Sequence, residues 1–183
     1  MEKQLFTVTV FSENQVGLLN QISIIFTRRG LNIESLSVSP SSIEGIHKFT
    51  ITCFSDRETM EKVVKQIEKR IDVLKSFLYT DDEIVYQEIA LYKVPTDKLL
   101  DEKNLEIIIR RHNARILEIT REYTVIEKSG HSDETEALFE ELKRYDIRQF
   151  VRSGRVAITK SPIEYVTMFI EEQARRREEG ITE

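Results

Sequence analysis

Residues 14–19 carry the combination of side chains best suited to binding a small charged molecule. They follow an apolar run and open a helical pattern, with Gly17 in its first turn. Backbone N–H groups at a helix N-terminus lack helical partners and lie at the positive end of the dipole. A glycine lets a carboxylate approach them without meeting a Cβ, and the Asn14 amide can add a hydrogen bond. The same residues also fit an ordinary turn capped by Asn14, which spacing alone favours because caps are common.

A second polar position, Asn32, stands just before an apolar strand pattern. The preceding Arg28-Arg29-Gly30 ends a helical stripe, with a glycine free to adopt positive φ at the C-terminal cap. Asparagine is depleted in strands. Asn32 therefore either closes the turn after Gly30 or projects its amide toward a group outside the fold.

Catalytic and metal-binding patterns are not found in the sequence. His47, His112 and His131 have no second ligand at metal-binding spacing on the same predicted face, and we expect them to be exposed polar residues. Cys53 shares a strand face with apolar residues, where a buried and unreactive thiol is expected. No glycine-rich phosphate loop is present. We therefore predict no catalytic residue, no metal ligand and no enzymatic activity.

The elements that must position these residues follow a β-α-β-β-α-β order twice. The first half has four strand patterns, at residues 5–11, 33–38, 47–54 and 73–79. Helical stripes follow Val16 and Ser55, and Ser55 with Glu58 has the spacing of a capping box. The second half has strand patterns at residues 84–94, 114–120, 123–128, 147–151 and 156–159. Its helices are expected at residues 96–112 and behind a Ser132 cap, with a terminal helix from Pro162.

This order predicts an α+β fold of two ferredoxin-like βαββαβ modules with a C-terminal helix. A pattern that repeats after about 80 residues is too long for a solenoid and indicates two similar modules. We place the modules at residues 1–80 and 81–160, with the acidic stretch 80–83 as their junction, and the helical extension at 161–183.

Composition narrows the class of protein further. Lys and Arg number 27 against 32 Asp and Glu, and the net charge of −5 without a basic stripe argues against a general nucleic-acid or anionic-membrane binder. The single cysteine excludes an intrachain disulfide and fits a reducing compartment. No signal peptide pattern and no apolar run of about 18–20 residues is present. We expect a soluble cytoplasmic protein without a membrane partner.

Two stretches taken together resemble a known family. They are Asn14-x-x-Gly17-x-Leu19-Asn20 and Arg28-Arg29-Gly30-Leu31-Asn32-Ile33-Glu34-Ser35-Leu36-Ser37-Val38. Both are similar to the N-terminal ACT domain of acetolactate synthase (acetohydroxyacid synthase) small subunits. The similarity continues in order through residues 71–75, 88–94, 114–119 and 152–157, so it covers about residues 4–160. The helix from Pro162 extends past the typical end of that family.

The resemblance implies a regulatory subunit of branched-chain amino acid biosynthesis. Such a subunit activates a large catalytic subunit of acetolactate synthase and confers feedback inhibition by valine or another branched-chain amino acid. Thiamine diphosphate, Mg²⁺ and FAD are then expected on that catalytic partner, and no cofactor is expected on this chain.

The resemblance also implies where the amino acid binds. The ligand would lie between the ACT domains of two chains in a homodimer formed through residues 1–80. One chain would hold its charged ends with Asn14 and the backbone around Gly17, Leu18 and Leu19, and the other chain would contribute Asn32 and Ile33. Residues 81–160 would take part in dimer packing and in contact with the catalytic subunit.

Three other functions fit parts of the pattern. An RNA-recognition module shares the β-α-β-β-α-β order, but alternation places Phe49 with Ile51 and Cys53 on a buried face and the charge is acidic. An ACT-domain amino acid sensor of another enzyme would use the same motifs. A small enzyme is disfavoured because catalytic residues are missing.

Overall fold

The computed structural model describes residues 3–101, 105–163 and 165–178. These residues form two compact units. The first contains the chain up to Val85 together with the chain from Ala157 onward, and the second runs from Tyr86 to Val156. The C-terminal segment is therefore part of the first unit. The roles assigned above to residues 1–80, 81–160 and 161–183 stay predictions.

The first unit is a four-stranded antiparallel sheet with two helices on one face. Its elements are β1 (Gln4–Glu13), α1 (Leu18–Thr27), β2 (Ser35–Pro40), β3 (Ile46–Ser55), α2 (Arg57–Glu68) and β4 (Val73–Tyr79). The strand order is β2-β3-β1-β4, and Val8 in the centre lies opposite Ile51 on one side and Leu78 on the other. This order confirms the ferredoxin-like prediction.

Alternation along the strands decides which side chains form the core of the first unit. Phe6, Val8 and Val10 of β1 are fully buried and pack with apolar side chains of α1 and α2. Phe49 and Cys53 of β3 belong to the same cluster. Phe49 is therefore a core residue and offers no exposed ring on which a base could stack.

Two helix caps differ from the sequence prediction. Asp56, and not Ser55, caps α2: its carboxylate accepts hydrogen bonds from the Thr59 backbone N–H at 2.9 Å and from the Thr59 hydroxyl at 2.8 Å. Ser55 is instead the last residue of β3, paired with Gln4 and buried. The second unit contains the helix for which Ser132 was the predicted cap. The N-cap of this helix is His131, and Ser132 is its first helical residue.

The second unit repeats the same topology. Its elements are β5 (Ile84–Pro95), α3 (Thr96–Asp101), α4 (Leu105–Arg111), β6 (Arg115–Ile119), β7 (Tyr123–Gly130), α5 (Ser132–Leu142), a 3₁₀ turn (Lys143–Tyr145) and β8 (Gln149–Arg152). The strands follow the order β6-β7-β5-β8. The helix predicted over residues 96–112 is described in two parts, α3 and α4, and residues 102–104 lie outside the described ranges.

The C-terminal segment covers the sheet face of the first unit that is opposite α1 and α2. After β9 (Val156–Thr159), the chain bends at residues 161–163 and enters α6 (Tyr165–Glu178). The helix was expected from Pro162 but is described from Tyr165, and the predicted residues 179–183 of the extension lie outside the described ranges. Val166 is only 1% exposed because it packs against Phe11 and Ile46.

Candidate effector site at the ends of helix α1

Gly17 is the turning point between β1 and α1. Its backbone has φ 88° and ψ −7°, in the left-handed region that favours glycine, and it is the N-cap of α1. A Cβ built on Gly17 would meet no atom within 4 Å. The space above this backbone is therefore open to a ligand. The alternative prediction, that Asn14 caps the helix, is wrong. Within the described residues, no side chain caps α1.

The first turn of α1 is suited to an anion. The Leu18 N–H reaches the Gln15 carbonyl at 3.4 Å, and the Gly17 carbonyl accepts the Gln21 N–H at 3.1 Å. The first turn contains no acidic residue, so the positive end of the helix dipole is not offset locally. Asn14, Gly17 and Leu19 are all exposed beside it, whereas Leu18 is buried in the core. A carboxylate can reach this end, and Asn14 can contact a second polar group of the same ligand.

Asn32 and Ile33 lie beyond the other end of α1. Gly30, with φ 64°, turns the chain, and the backbone bond from the Leu31 N–H to the Phe26 carbonyl closes the helix at 3.1 Å. Asn32 is thus not needed to close the turn. It is exposed, and its amide donates to the Glu34 carboxylate at 3.2 Å. Ile33 is half-buried against the core of the first unit.

The six predicted site residues form two groups, one at each end of α1. The helix has ten residues, which at about 1.5 Å per residue separates its ends by about 15 Å. Within one chain, a single amino acid is too short to contact both Gly17 and Asn32. A ligand that touches both groups needs one end of α1 from each of two chains.

The prediction that all three histidines are exposed is wrong for two of them, since His47 of β3 and His112 are half-buried, and is confirmed for His131. His112 is half-buried, and its Nε2 lies 2.6 Å from the Glu141 carboxylate, which also pairs with Arg111. Burial raises the pKa of Glu141, but the hydrogen bond with His112 and the charge of Arg111 outweigh it, so the pKa lies below its usual value. The contact of Glu141 with His112 and its ion pair with Arg111 join the end of α4 to α5. Sequence spacing could not show this pair because 29 positions separate its members.

A second polar cluster that sequence reasoning missed lies inside the second unit. The Glu88 carboxylate accepts the Thr135 hydroxyl at 2.7 Å and lies 3.0 Å from the Arg152 guanidinium. Tyr92 donates its hydroxyl to the Thr135 carbonyl at 2.6 Å, and burial raises the pKa of that phenol. These bonds hold α5 on the sheet. We assign the cluster a structural role, because buried charges need such partners.

The cysteine of the first unit is enclosed. Cys53 is fully buried. This burial is the main cause that raises the pKa of its thiol, and the negative charge of Glu34 raises it further, as expected for an inert cysteine. Over the described ranges, no group of three or more His, Cys, Asp or Glu side chains could hold a metal ion. In the same ranges, no helix has the length and apolar character required to cross a membrane.

Comparison with known protein families gives two matches that together span most of the chain. A model described as an AHAS small subunit-like ACT domain matches residues 8–75. A model described as the small subunit of acetolactate synthase matches residues 87–161. The two matches follow the same order as the two units of the structure.

Individual relatives are similar over nearly their whole length. The acetolactate synthase small subunit of Bacillus subtilis (strain 168) is 35% identical over 162 residues, covering 86% of this chain and 91% of the relative. A probable acetolactate synthase small subunit of Archaeoglobus fulgidus is 33% identical over 156 residues, covering 84% and 96%. The crystal structure of the acetolactate synthase small subunit from Thermotoga maritima superimposes with a TM-score of 0.78 at 26% identity, covering 87% of this chain and 99% of that one.

Proposed function

The chain belongs to the acetolactate synthase small subunit family, and we propose that it regulates a separate catalytic subunit and catalyses no reaction itself. Buried polar groups of the second unit are engaged in packing interactions, and the first unit carries an open, positively polarised helix end. Such an end binds an anionic ligand but offers no group for acid–base or nucleophilic chemistry. These features support a binding role.

The effector in this proposal is a branched-chain amino acid, with valine as the first candidate, bound between the first units of two chains. The observation that carries the proposal is the position of the six site residues at opposite ends of α1. The ligand carboxylate lies over Gly17, at the N–H groups of the first turn. Asn14 contacts its other charged end, and Asn32 of the second chain adds a hydrogen bond. Leu19, which is 45% exposed, contacts the branched side chain.

The second unit is proposed to contribute to dimer packing and to contact with the catalytic subunit. Its sheet carries apolar side chains that are about half exposed, including Ile89 of β5, Leu117 of β6 and Val151 of β8. Exposed apolar groups of this kind are typical of protein interfaces. The catalytic partner supplies thiamine diphosphate, Mg²⁺ and FAD.

Addition of the purified chain to its cognate catalytic subunit tests this function. We expect acetolactate formation from pyruvate to rise on titration with the chain, because preferential binding to an active conformation shifts the partner toward it. Valine should then lower the rate of the complex, and the chain by itself should form no acetolactate. A partner turnover that is unchanged by the chain would contradict the proposal.

A further inference from the structure

A pocket of about 250 Å³ lies in the second unit, on the face of the sheet opposite its core. Along β5, Tyr92 and Val94 belong to that core. Leu91 and Lys93 alternate with them and therefore lie on the other face, where both line the pocket. Val125 of β7 shares this face, because it pairs with Lys93. The described lining of the pocket belongs wholly to the second unit.

Two side chains of opposite charge line this pocket. Lys93 of β5 and Glu118 of β6 both pair with Val125 of β7, so the three residues form one row across the sheet. Two strand spacings separate the backbones of Lys93 and Glu118 by about 9–10 Å. Both side chains are long enough to reach a small molecule that lies over Val125 between them.

Tyr123 lies between the two charged groups. Its ring centroid is 4.1 Å from the Lys93 ammonium, and its hydroxyl donates to the Glu118 carboxylate at 3.3 Å. The charge of Glu118 raises the pKa of Tyr123, so the hydroxyl stays protonated at neutral pH and remains a donor. The contacts described for both charged groups are therefore with an uncharged ring rather than with each other.

The Lys93 ammonium favours an anionic ligand. Lys93 is half-buried, whereas Glu118 is exposed. A half-buried ammonium over an aromatic ring has lost part of its hydration, and a carboxylate would replace that hydration with a partner of opposite charge. An ammonium group has three N–H donors, so it can bind a carboxylate while it stays over the ring. We therefore place a carboxylate at the Lys93 end of the pocket.

The rest of the lining defines the other groups of the ligand. One oxygen of Glu118 accepts from Tyr123, and the carboxylate has further lone pairs with which it can accept from an ammonium group. The apolar side chains of Leu91, Val125 and Val151 lie beside these charges. An α-amino acid carries a carboxylate, an ammonium group and a side chain on one carbon, and so can contact all three parts of the pocket.

We propose that the second unit holds an amino acid site on the open face of its sheet, for a zwitterionic α-amino acid with an aliphatic side chain. Lys93 pairs with the carboxylate and Glu118 with the ammonium group, and the side chain lies against Val125 and Val151. Since both charges are partly solvated, we expect binding in the millimolar range. This site shares no residue with the one proposed at α1 and does not depend on that proposal.

The test is an NMR titration of the full-length chain with ¹³C-labelled leucine and valine methyl groups. The probe is unlabelled leucine. We expect saturable shifts of the Val125 and Val151 methyl signals, which Val125→Ile and Val151→Ile assign. Alanine should bind more weakly, because it buries less apolar surface. The methyl signals of Leu19 report on the α1 site in the same titration.

Two substitutions test the charged partners. Lys93→Met should weaken leucine binding at this site at least about fivefold, whereas Lys65→Met, the same change at an exposed position of α2, should not. Glu118→Gln keeps an acceptor for the Tyr123 hydroxyl but removes the charge. It should weaken leucine binding about two- to fivefold, a smaller effect because Glu118 is exposed.

Two analogues of leucine assign each charge of the ligand to its partner. The analogue 4-methylpentanoate lacks the ammonium group and should bind the wild type more weakly than leucine does, but Glu118→Gln should bind the two about equally. The analogue 3-methylbutan-1-amine lacks the carboxylate, and its disadvantage relative to leucine should disappear in Lys93→Met. If Lys93→Met does not fold, the comparison of leucine with 4-methylpentanoate in Glu118→Gln decides by itself.

Three results would overturn the proposal. They are the absence of saturable shifts at Val125 and Val151, equal effects of Lys93→Met and Lys65→Met, and a preference for leucine over 4-methylpentanoate that persists in Glu118→Gln. Gly17→Asp should remove the Leu19 shifts and leave those of Val125 and Val151 unchanged. Loss of both sets of shifts in that variant would also overturn the proposal, because the second set would then arise from binding at α1. Shifts at Val125 and Val151 without any at Leu19 in the wild type would support this site and contradict the one at α1.

Discussion

Gly17 and Asn32 lie at opposite ends of helix α1, with ten helical residues between them. Gly17 caps the N-terminal end with a left-handed backbone, and Asn32 follows the turn made by Gly30 at the C-terminal end. Since the helix is about 15 Å long, both residues can contact one small ligand only if they come from different chains. This relationship makes the shared site a physical expectation that can be tested with single substitutions.

Replacement of Gly17 by Asp should weaken valine binding by at least about tenfold, because the new carboxylate repels the carboxylate of the ligand at the helix N-terminus. Isothermal titration with valine measures the effect. Gly45→Asp is a matched control, since Gly45 also has positive φ (77°) and open space around its Cβ position. It introduces the same backbone strain and charge in the β2–β3 loop. Equal affinities in the two variants would contradict the placement of the ligand.

Asn32→Ala should lower valine affinity about ten- to a hundredfold, corresponding to one lost hydrogen bond to a charged group of about 1.5–3 kcal/mol. Because Asn32 is exposed and its amide donates locally to Glu34, we expect the melting temperature to remain near that of the wild type. This variant should still activate the catalytic subunit, but the resulting complex should no longer be inhibited by valine. Unchanged inhibition by valine would mean that Asn32 does not contact the ligand.

Asp56 makes the stability of the first unit depend on pH. The hydrogen bonds from the Thr59 backbone and hydroxyl hold the pKa of Asp56 below its usual value. A carboxylate whose pKa is lowered in the folded state stabilises the folded protein fully at pH values above its unfolded-state pKa of about 3.9. This stabilisation is lost as the pH falls through the folded-state pKa. Asp56→Asn keeps a capping side chain without the charge. Its melting temperature should lie below that of the wild type at neutral pH, and the difference should shrink as the pH falls below about 3.9. A difference that is constant with pH would contradict this role.

Val166 tests whether α6 is an integral part of the first unit. Val166→Ala removes two buried methyl groups next to Phe11 and Ile46, which should cost about 2 kcal/mol in the free energy of unfolding. Met168→Ala on the same helix is the control, because Met168 is 55% exposed and its truncation should change stability by less than about 0.5 kcal/mol. Chemical denaturation of both variants measures the difference. Equal effects would show that α6 does not pack on the sheet in solution.

Sequence periodicity was sufficient to predict the two modules because each strand and helix buries one regular face. The alternating pattern of β1 places Phe6, Val8 and Val10 in the core, as observed. The positions of the glycines were equally informative, since the positive φ of Gly30 is expected from its place after a helix. The unusual backbone of Gly17 was not derivable, because the sequence also fitted a turn capped by Asn14.

Features that depend on distant partners were not predicted. Ser55 has the spacing of a capping residue, but pairing with Gln4 keeps it in β3, and Asp56 takes the cap. His112 is paired because α5 brings Glu141 against α4. Thr7 and Thr9 alternate with the core residues of β1 and are nevertheless buried on the other face of the sheet. A covered polar face of this kind depends on tertiary packing that no local pattern encodes.

The central claim, that each effector site is shared between two chains, is tested most directly by mixing defective chains. Gly17→Asp and Asn32→Ala chains are co-refolded in equal amounts, and valine binding is measured by isothermal titration. In a mixed dimer, one site combines both defects, while the other combines the intact Gly17 end of one chain with the intact Asn32 of its partner. The account predicts that mixed dimers regain one wild-type site, whereas each variant by itself binds weakly. A mixture of Gly17→Asp with Asn14→Asp, both altered at the same end of α1, should regain none. If the first mixture regains no high-affinity site, or the second regains as much, the site is not shared in this way and the account is wrong.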